Sequence, residues 1–130
     1  MKKILLIEDD TDLFALLKYN LEKEGYLVVG SQTGRGAVEM VRQERPDLII
    51  LDIMLPDTDG WELLRLLRES PATRSVPVIV CSVVREADLA SALGAMQYLS
   101  KPVRRQDLLQ ALDRAVQLAT AGERKAQGHS

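Results

Sequence analysis

The sequence predicts an α/β fold, a single parallel sheet of five strands with helices on both faces, built as five β–α units. Three observations carry this. Short apolar runs alternate with stretches of helical period from one end of the chain to the other. The runs are unbroken rather than alternating, as in strands buried on both faces. The chain has 130 residues, 46% hydrophobic and 28% charged, which suits one domain with a substantial core.

The elements follow in order. Lys3–Ile7 (KILLI) is the first strand, and Leu13, Leu16, Leu17 and Leu21 mark the buried stripe of the first helix. Asp10, Thr11 and Asp12 are candidate caps at the start of that helix, and Gly25 stands where a C-cap is expected. Tyr26–Gly30 (YLVVG) is the second strand; Ala37, Val38 and Val41 mark the second helix. Pro46 precedes the third strand, Asp47–Leu51 (DLIIL), and Pro56–Gly60 forms a turn before a helix carrying Leu63, Leu64 and Leu67. Val76–Ser82 (VPVIVCS) is the fourth strand, followed by a weakly amphipathic, Ala-rich helix over Arg85–Leu93 that Gly94 closes. Gln97–Ser100 (QYLS) is the fifth strand, and Leu108, Leu112, Ala115, Val116 and Ala119 share one stripe of the last helix. Apolar periodicity stops near Thr120, so residues 1–120 are expected to form the domain and 121–130 a disordered tail.

Composition excludes several function classes. A net charge of −2 argues against a general nucleic-acid binder. No apolar run approaches the roughly 20 residues that span a bilayer, and no signal-peptide pattern precedes the first strand. One cysteine, Cys81, forbids an internal disulfide and reads as an inert, buried strand residue. A cytoplasmic domain is the expectation. The single histidine, His129, lies in the tail, which removes a phosphohistidine donor, a His-based triad and a zinc site. Gly34-x-Gly36 follows the second strand with Glu39 where a third glycine would stand, and fails as a dinucleotide fingerprint.

In parallel sheets, ligands bind outside the carboxyl ends of the strands. At those ends the sequence places Glu8, Asp9 and Asp10, then Asp52, then Ser82, then Lys101 followed by Pro102. Three consecutive acids with no adjacent base repel one another, and a bound dication would reverse that repulsion. Clustered oxygens suit Mg²⁺, and a carboxylate beside it can attack phosphorus. Asp10 belongs rather to the next helix. Asp57 and Asp59 read as loop acids, and Trp61 as a side chain packing on the third helix.

Four segments, "IEDD", "DLIILDIMLPDTDGWELL", "PVIVCS" and "GAMQYLSKPV", together resemble the receiver domain of two-component response regulators, of the chemotaxis-regulator-like kind. The resemblance covers roughly Lys3 to Ala119. It implies a flavodoxin-like three-layer sandwich with strand order 2-1-3-4-5. It implies Asp52 as phosphoacceptor, Glu8 and Asp9 as the acidic pair for Mg²⁺ (Glu8 partly through water), and the Met54 main-chain carbonyl as a further ligand. Ser82 and Lys101 would meet the phosphoryl oxygens, with a cis Lys101–Pro102 bond aiming the lysine, and Tyr98 would switch with Ser82. The implied function is phosphoryl transfer from a histidine kinase or phosphotransfer protein to Asp52. This would switch the surface of the fourth helix, fifth strand and fifth helix toward a downstream protein, a fused output domain or a homodimer. Such a domain is not an enzyme beyond catalysing its own phosphorylation and dephosphorylation.

The chain departs from the family pattern at Val83, where a small residue is usual, and at Val84, where a polar one is common. Val83 is expected to screen the phosphoryl site and slow phosphorylation, phosphate loss, or both. Two rivals remain in view. A Mg²⁺-dependent aspartyl phosphohydrolase would usually carry a second acid where Met54 stands, and a cap domain. A degenerate receiver acting as a protein-binding scaffold would lack some of the key residues, all of which are present here.

Overall fold

The computed structural model describes residues 2–128, with side chains described through residue 117. The elements run β1 (Lys3–Ile7), α1 (Thr11–Lys23), β2 (Leu27–Ser31), α2 (Ala37–Glu44), β3 (Leu48–Leu51), α3 (Gly60–Glu69), β4 (Val78–Ser82), α4 (Ala87–Ala92), β5 (Gln97–Ser100) and α5 (Arg105–Gly128). All strand pairings are parallel, and the order is β2-β1-β3-β4-β5. The expected α/β sandwich and its strand order are both found. The α5 backbone runs past residue 120 to Gly128; the side chains of the expected tail, and residues 129–130 entirely, lie outside the described residues.

The strict period of two along each strand divides the core between the two sheet faces. Ile4, Leu6, Ile50, Ile79 and Cys81 pack with Leu17 and Leu21 of α1 and with Leu108, Ala111, Leu112 and Ala115 of α5. Leu5, Ile7, Ile49, Leu51, Val78 and Val80 face the other way, onto α2, α3 and α4 through Val41, Leu63, Leu64, Leu67 and Ala90. β1 and β3 are buried throughout, apart from the first residue of β1. Their carboxyl ends are therefore held by covered sheet on both sides, a rigid base for whatever follows them.

Several boundaries differ from the sequence reading by one or two residues, β2 ending at Ser31 and β3 starting at Leu48 among them, and others have a local reason. β2 starts at Leu27 because the Tyr26 N–H turns back to the Leu21 carbonyl at 3.2 Å, helping to close α1. β4 starts at Val78 because Pro77 has no N–H to donate and Val76 donates into a turn, to Thr73 at 3.0 Å. α4 is confined to Ala87–Ala92, with Glu86 outside helical geometry at its N-cap. The expected helix ends hold: Asp10 caps α1 by accepting the Leu13 N–H at 3.1 Å, and Gly25 and Gly94 follow α1 and α4 at φ of 93° and 95°. Among the described residues no helix is long and apolar enough to cross a membrane.

Candidate functional site

The register brings the four strand ends to one rim. Ile7 lies beside Leu51, Leu51 beside Val80, and Ser82 beside Ser100. Glu8 and Asp52 therefore lie level at the ends of adjacent strands, with Ser82 and Lys101 one and two residues further along the same rim.

Two of the acids are almost fully buried: Glu8 is 1% exposed and Asp52 2%. Asp9 is exposed beside them, and one carboxylate oxygen from each of the three lies within 4.8 Å of the others. Lys101, remote in sequence, supplies the missing base. Its ammonium donates to Glu8 Oε1 at 2.7 Å and to Asp52 Oδ2 at 3.1 Å. The main chain satisfies the remaining oxygens of the buried pair: Asp10 N–H donates to Glu8 Oε2 at 3.1 Å and Met54 N–H to Asp52 Oδ1 at 3.0 Å. The Lys101 N–H binds the Ser82 carbonyl at 3.0 Å, which ties β5 to the end of β4, and the Lys101–Pro102 peptide is cis.

Burial pushes the Glu8 carboxyl up to about 7; the Lys101 ammonium opposes the shift and the neighbouring Asp52 adds to it. Burial alone would lower the Lys101 pKa, but its hydrogen bonds to Glu8 and Asp52 leave it raised. The lysine therefore stays charged across the physiological range. With all groups ionised, three carboxylates face one ammonium, so the cluster holds two negative charges in excess. That excess and an all-oxygen donor set fit a hard dication.

Ser82 is fully buried, and its hydroxyl receives only a long 3.4 Å bond from the Val84 N–H. Tyr98 packs against the α2–α3–α4 side of the core with its hydroxyl buried and, among the described residues, lacking a hydrogen-bond partner. It borders a groove of about 480 Å³ lined also by Arg85, Glu86, Ala87, Asp88 and Ser100. A buried orphan hydroxyl costs about 1–3 kcal/mol, which favours any rearrangement that gives it a partner or water. Val83 and Met54 stand exposed on the rim, at 63% and 56%. Cys81 is buried, and burial pushes its thiol up to about 12, so no thiolate is available there.

All seven residues expected at the site belong to this rim or to the strand beside it. Two loop acids have partners that the sequence reading missed. Asp59 is the N-cap of α3 and accepts the Trp61 N–H at 3.0 Å, a role signalled by an acid directly ahead of an apolar helical stripe. Asp57 accepts two main-chain N–H bonds from the loop after β2, which no local pattern announces.

Comparison with known proteins shows the family of the chain and the likeness of its fold. Residues 4–113 match the family described as response regulator receiver domain. The chain is 38% identical over 104 residues to the alkaline phosphatase synthesis transcriptional regulatory protein PhoP of Bacillus subtilis, covering 78% of this chain and 42% of that protein. The chain thus spans less than half the length of that relative. Among solved structures, a CheY-like receiver domain protein from Methanospirillum hungatei superposes with a TM-score of 0.84 at 28% identity, covering 93% of this chain and 98% of that one. The receiver domain of the sensor histidine kinase PA1611 from Pseudomonas aeruginosa, which has magnesium coordinated in its active-site cleft, gives 0.79 at 30% identity, with 88% and 97% covered.

Proposed function

This chain belongs to the response regulator receiver domain family of two-component signalling, and on that premise we propose that it accepts a phosphoryl group on Asp52 from a phosphohistidine of a histidine kinase or phosphotransfer protein. The observation that carries the reading is the buried Asp52 carboxylate held between the Met54 N–H and the Lys101 ammonium, with Glu8 and Asp9 beside it. Glu8, Asp9, Asp52 and the Met54 carbonyl would hold Mg²⁺. When bound, the ion supplies charge neutralisation for the transferring oxygens.

The chain's own residues do the rest. The two bonds to Asp52 fix its carboxylate, so that one oxygen can attack phosphorus in line as the bond to the donor imidazole nitrogen breaks. Lys101 stays charged and follows the developing negative charge from the carboxylates to the phosphoryl oxygens. The Ser82 hydroxyl, weakly engaged at present, would turn to a phosphoryl oxygen. The Tyr98 ring would move with it, biasing the α4–β5–α5 surface toward a downstream protein, a fused output domain or a second copy. Residues 1–120 act as the receiver unit, with residues 121–130 outside it, in the cytoplasm where kinases of this class present phosphohistidine. The domain turns over no external substrate.

The test is incubation with Mg²⁺ and acetyl phosphate, followed by intact-mass analysis. One phosphoryl adduct, stable to acid, labile to base and absent from Asp52→Asn, is the expected result. Multiple turnover of external phosphoesters would instead establish a phosphohydrolase, and no adduct at all a binding scaffold.

A further inference from the structure

The rim carries a second polar arrangement outside the acidic cluster. Asp57, on the loop between β3 and α3, reaches the loop between β2 and α2 and grips it with both carboxylate oxygens. Oδ1 accepts the Gly34 N–H at 2.9 Å and Oδ2 the Arg35 N–H at 2.7 Å. Bonds to an ionised acceptor are among the stronger ones. Apolar contact backs them. Gly34 is buried, and a Cβ placed there would come 2.3 Å from Thr58 Cγ2 and 2.9 Å from Leu55 Cδ1, so only glycine lets the two loops meet this closely.

The gripped loop also leads into α2, whose N-cap is Gly36 and offers no side-chain hydrogen bond. Asp57 thus adds a carboxylate near the start of α2, whose first turn already carries Glu39. On the other side, Asp57 belongs to the short segment that carries Met54. That segment is folded on itself: Leu55 and Gly60 both donate to the Ile53 carbonyl, at 3.1 and 3.2 Å, and Met54 pairs with Asp59 in an isolated antiparallel bridge. Its inner end is pinned to Asp52 by the Met54 N–H. Its outer end is pinned to the β2–α2 loop by the two bonds that Asp57 accepts from Gly34 and Arg35. Released at Asp57, the segment keeps its hinge at Ile53 and loses its brace.

We propose that Asp57 is a positioning residue for the cation site: by clasping Gly34 and Arg35 it holds the Met54 main chain in the orientation from which its carbonyl completes the acidic cluster. The inference rests on the receiver reading above. It also makes the β2–α2 loop sensitive to occupancy of the site, because the clasp transmits restraint both ways.

The experiment is Mg²⁺ titration by calorimetry of the wild type, Asp57→Ala and Asp57→Asn, with ¹⁵N spectra of the Gly34 and Arg35 amides recorded in parallel. Asp57→Ala should weaken Mg²⁺ about tenfold, in the range seen when groups that orient metal ligands are removed. Asp57→Asn, which keeps the shape and one carbonyl acceptor, should recover part of the loss. In the wild type the Gly34 and Arg35 resonances should shift with Mg²⁺ along the calorimetric isotherm. Variants that melt lower yet bind Mg²⁺ as the wild type does would make Asp57 merely structural and overturn the inference alone. A wild type that binds no Mg²⁺ would overturn the receiver chemistry and this inference with it.

Discussion

Replacing Lys101 with methionine removes the one cation that, among the described residues, touches both buried carboxylates, and the structure sets the size of the effect. Glu8 and Asp52 lie 2.7 and 3.1 Å from the ammonium and are essentially closed to solvent. Breaking a buried ion pair from one side costs about 3–5 kcal/mol, because the abandoned charge has neither water nor partner. Methionine nearly conserves volume, so packing changes contribute little. For a domain of this size the loss corresponds to roughly 10–20 °C in melting temperature. The assay is thermal denaturation followed by circular dichroism at pH 8 in EDTA. Two conditions should relieve the loss. At pH 5.5 Glu8, whose carboxyl titrates at about 7, takes up a proton and no longer needs the lysine. At pH 8, added Mg²⁺ should replace the missing charge, and it should bind at least as tightly as to the wild type because the competing ammonium is gone. A variant that melts with the wild type in EDTA at pH 8 would refute the reasoning. So would a loss that is the same at both pH values and in Mg²⁺, since it would be a packing effect.

Other outcomes follow from the same site. The folded pKa of Glu8, about 7, lies above its unfolded value of 4.5, so between those values the folded state holds a proton that the unfolded state has released. Its contribution is full below about pH 4.5 and is lost as pH rises through about 7, by up to roughly 3 kcal/mol in metal-free buffer; Glu8→Gln should flatten that slope in a denaturant series. Mg²⁺ at about a hundred times its Kd should stabilise the wild type by about 2.7 kcal/mol, and a melting temperature indifferent to Mg²⁺ would count against a cation site. Val83, exposed on the rim next to buried Ser82, should slow phosphoryl gain, loss, or both. Val83→Ala followed by decay of the adduct checks this, and rates equal to the parent's would dispose of it.

Much of this protein was legible along the chain because the relevant physics is local. Unbroken apolar strands and three-four helical spacing announce a covered parallel sheet. Such a sheet sends Glu8, Asp52, Ser82 and Lys101 to one end whatever the details of packing. Caps at Asp10, Gly25 and Gly94 are decided within a few residues, and they stand where the sequence places them. Two of the misplaced boundaries, the starts of β2 and β4, fall where a nearby backbone group competes for the same N–H, at Tyr26 and Val76.

Tertiary structure alone decided how the charges are shared. From the sequence, Lys101 has a part to play only once a phosphoryl group arrives. In the fold it already bridges Glu8 and Asp52, the latter 49 residues away, and this is how two carboxylates can be buried side by side. Asp57 looks like an idle loop acid until the β2–α2 loop, 23 residues earlier, is brought within 2.9 Å of it. The Tyr98 hydroxyl looks ordinary until burial strips it of partners. Periodicity and capping act over one or two turns of chain and so are written in consecutive residues. Electrostatic pairing and desolvation depend on distance in space and on exclusion of water, and neither exists until the sheet has closed.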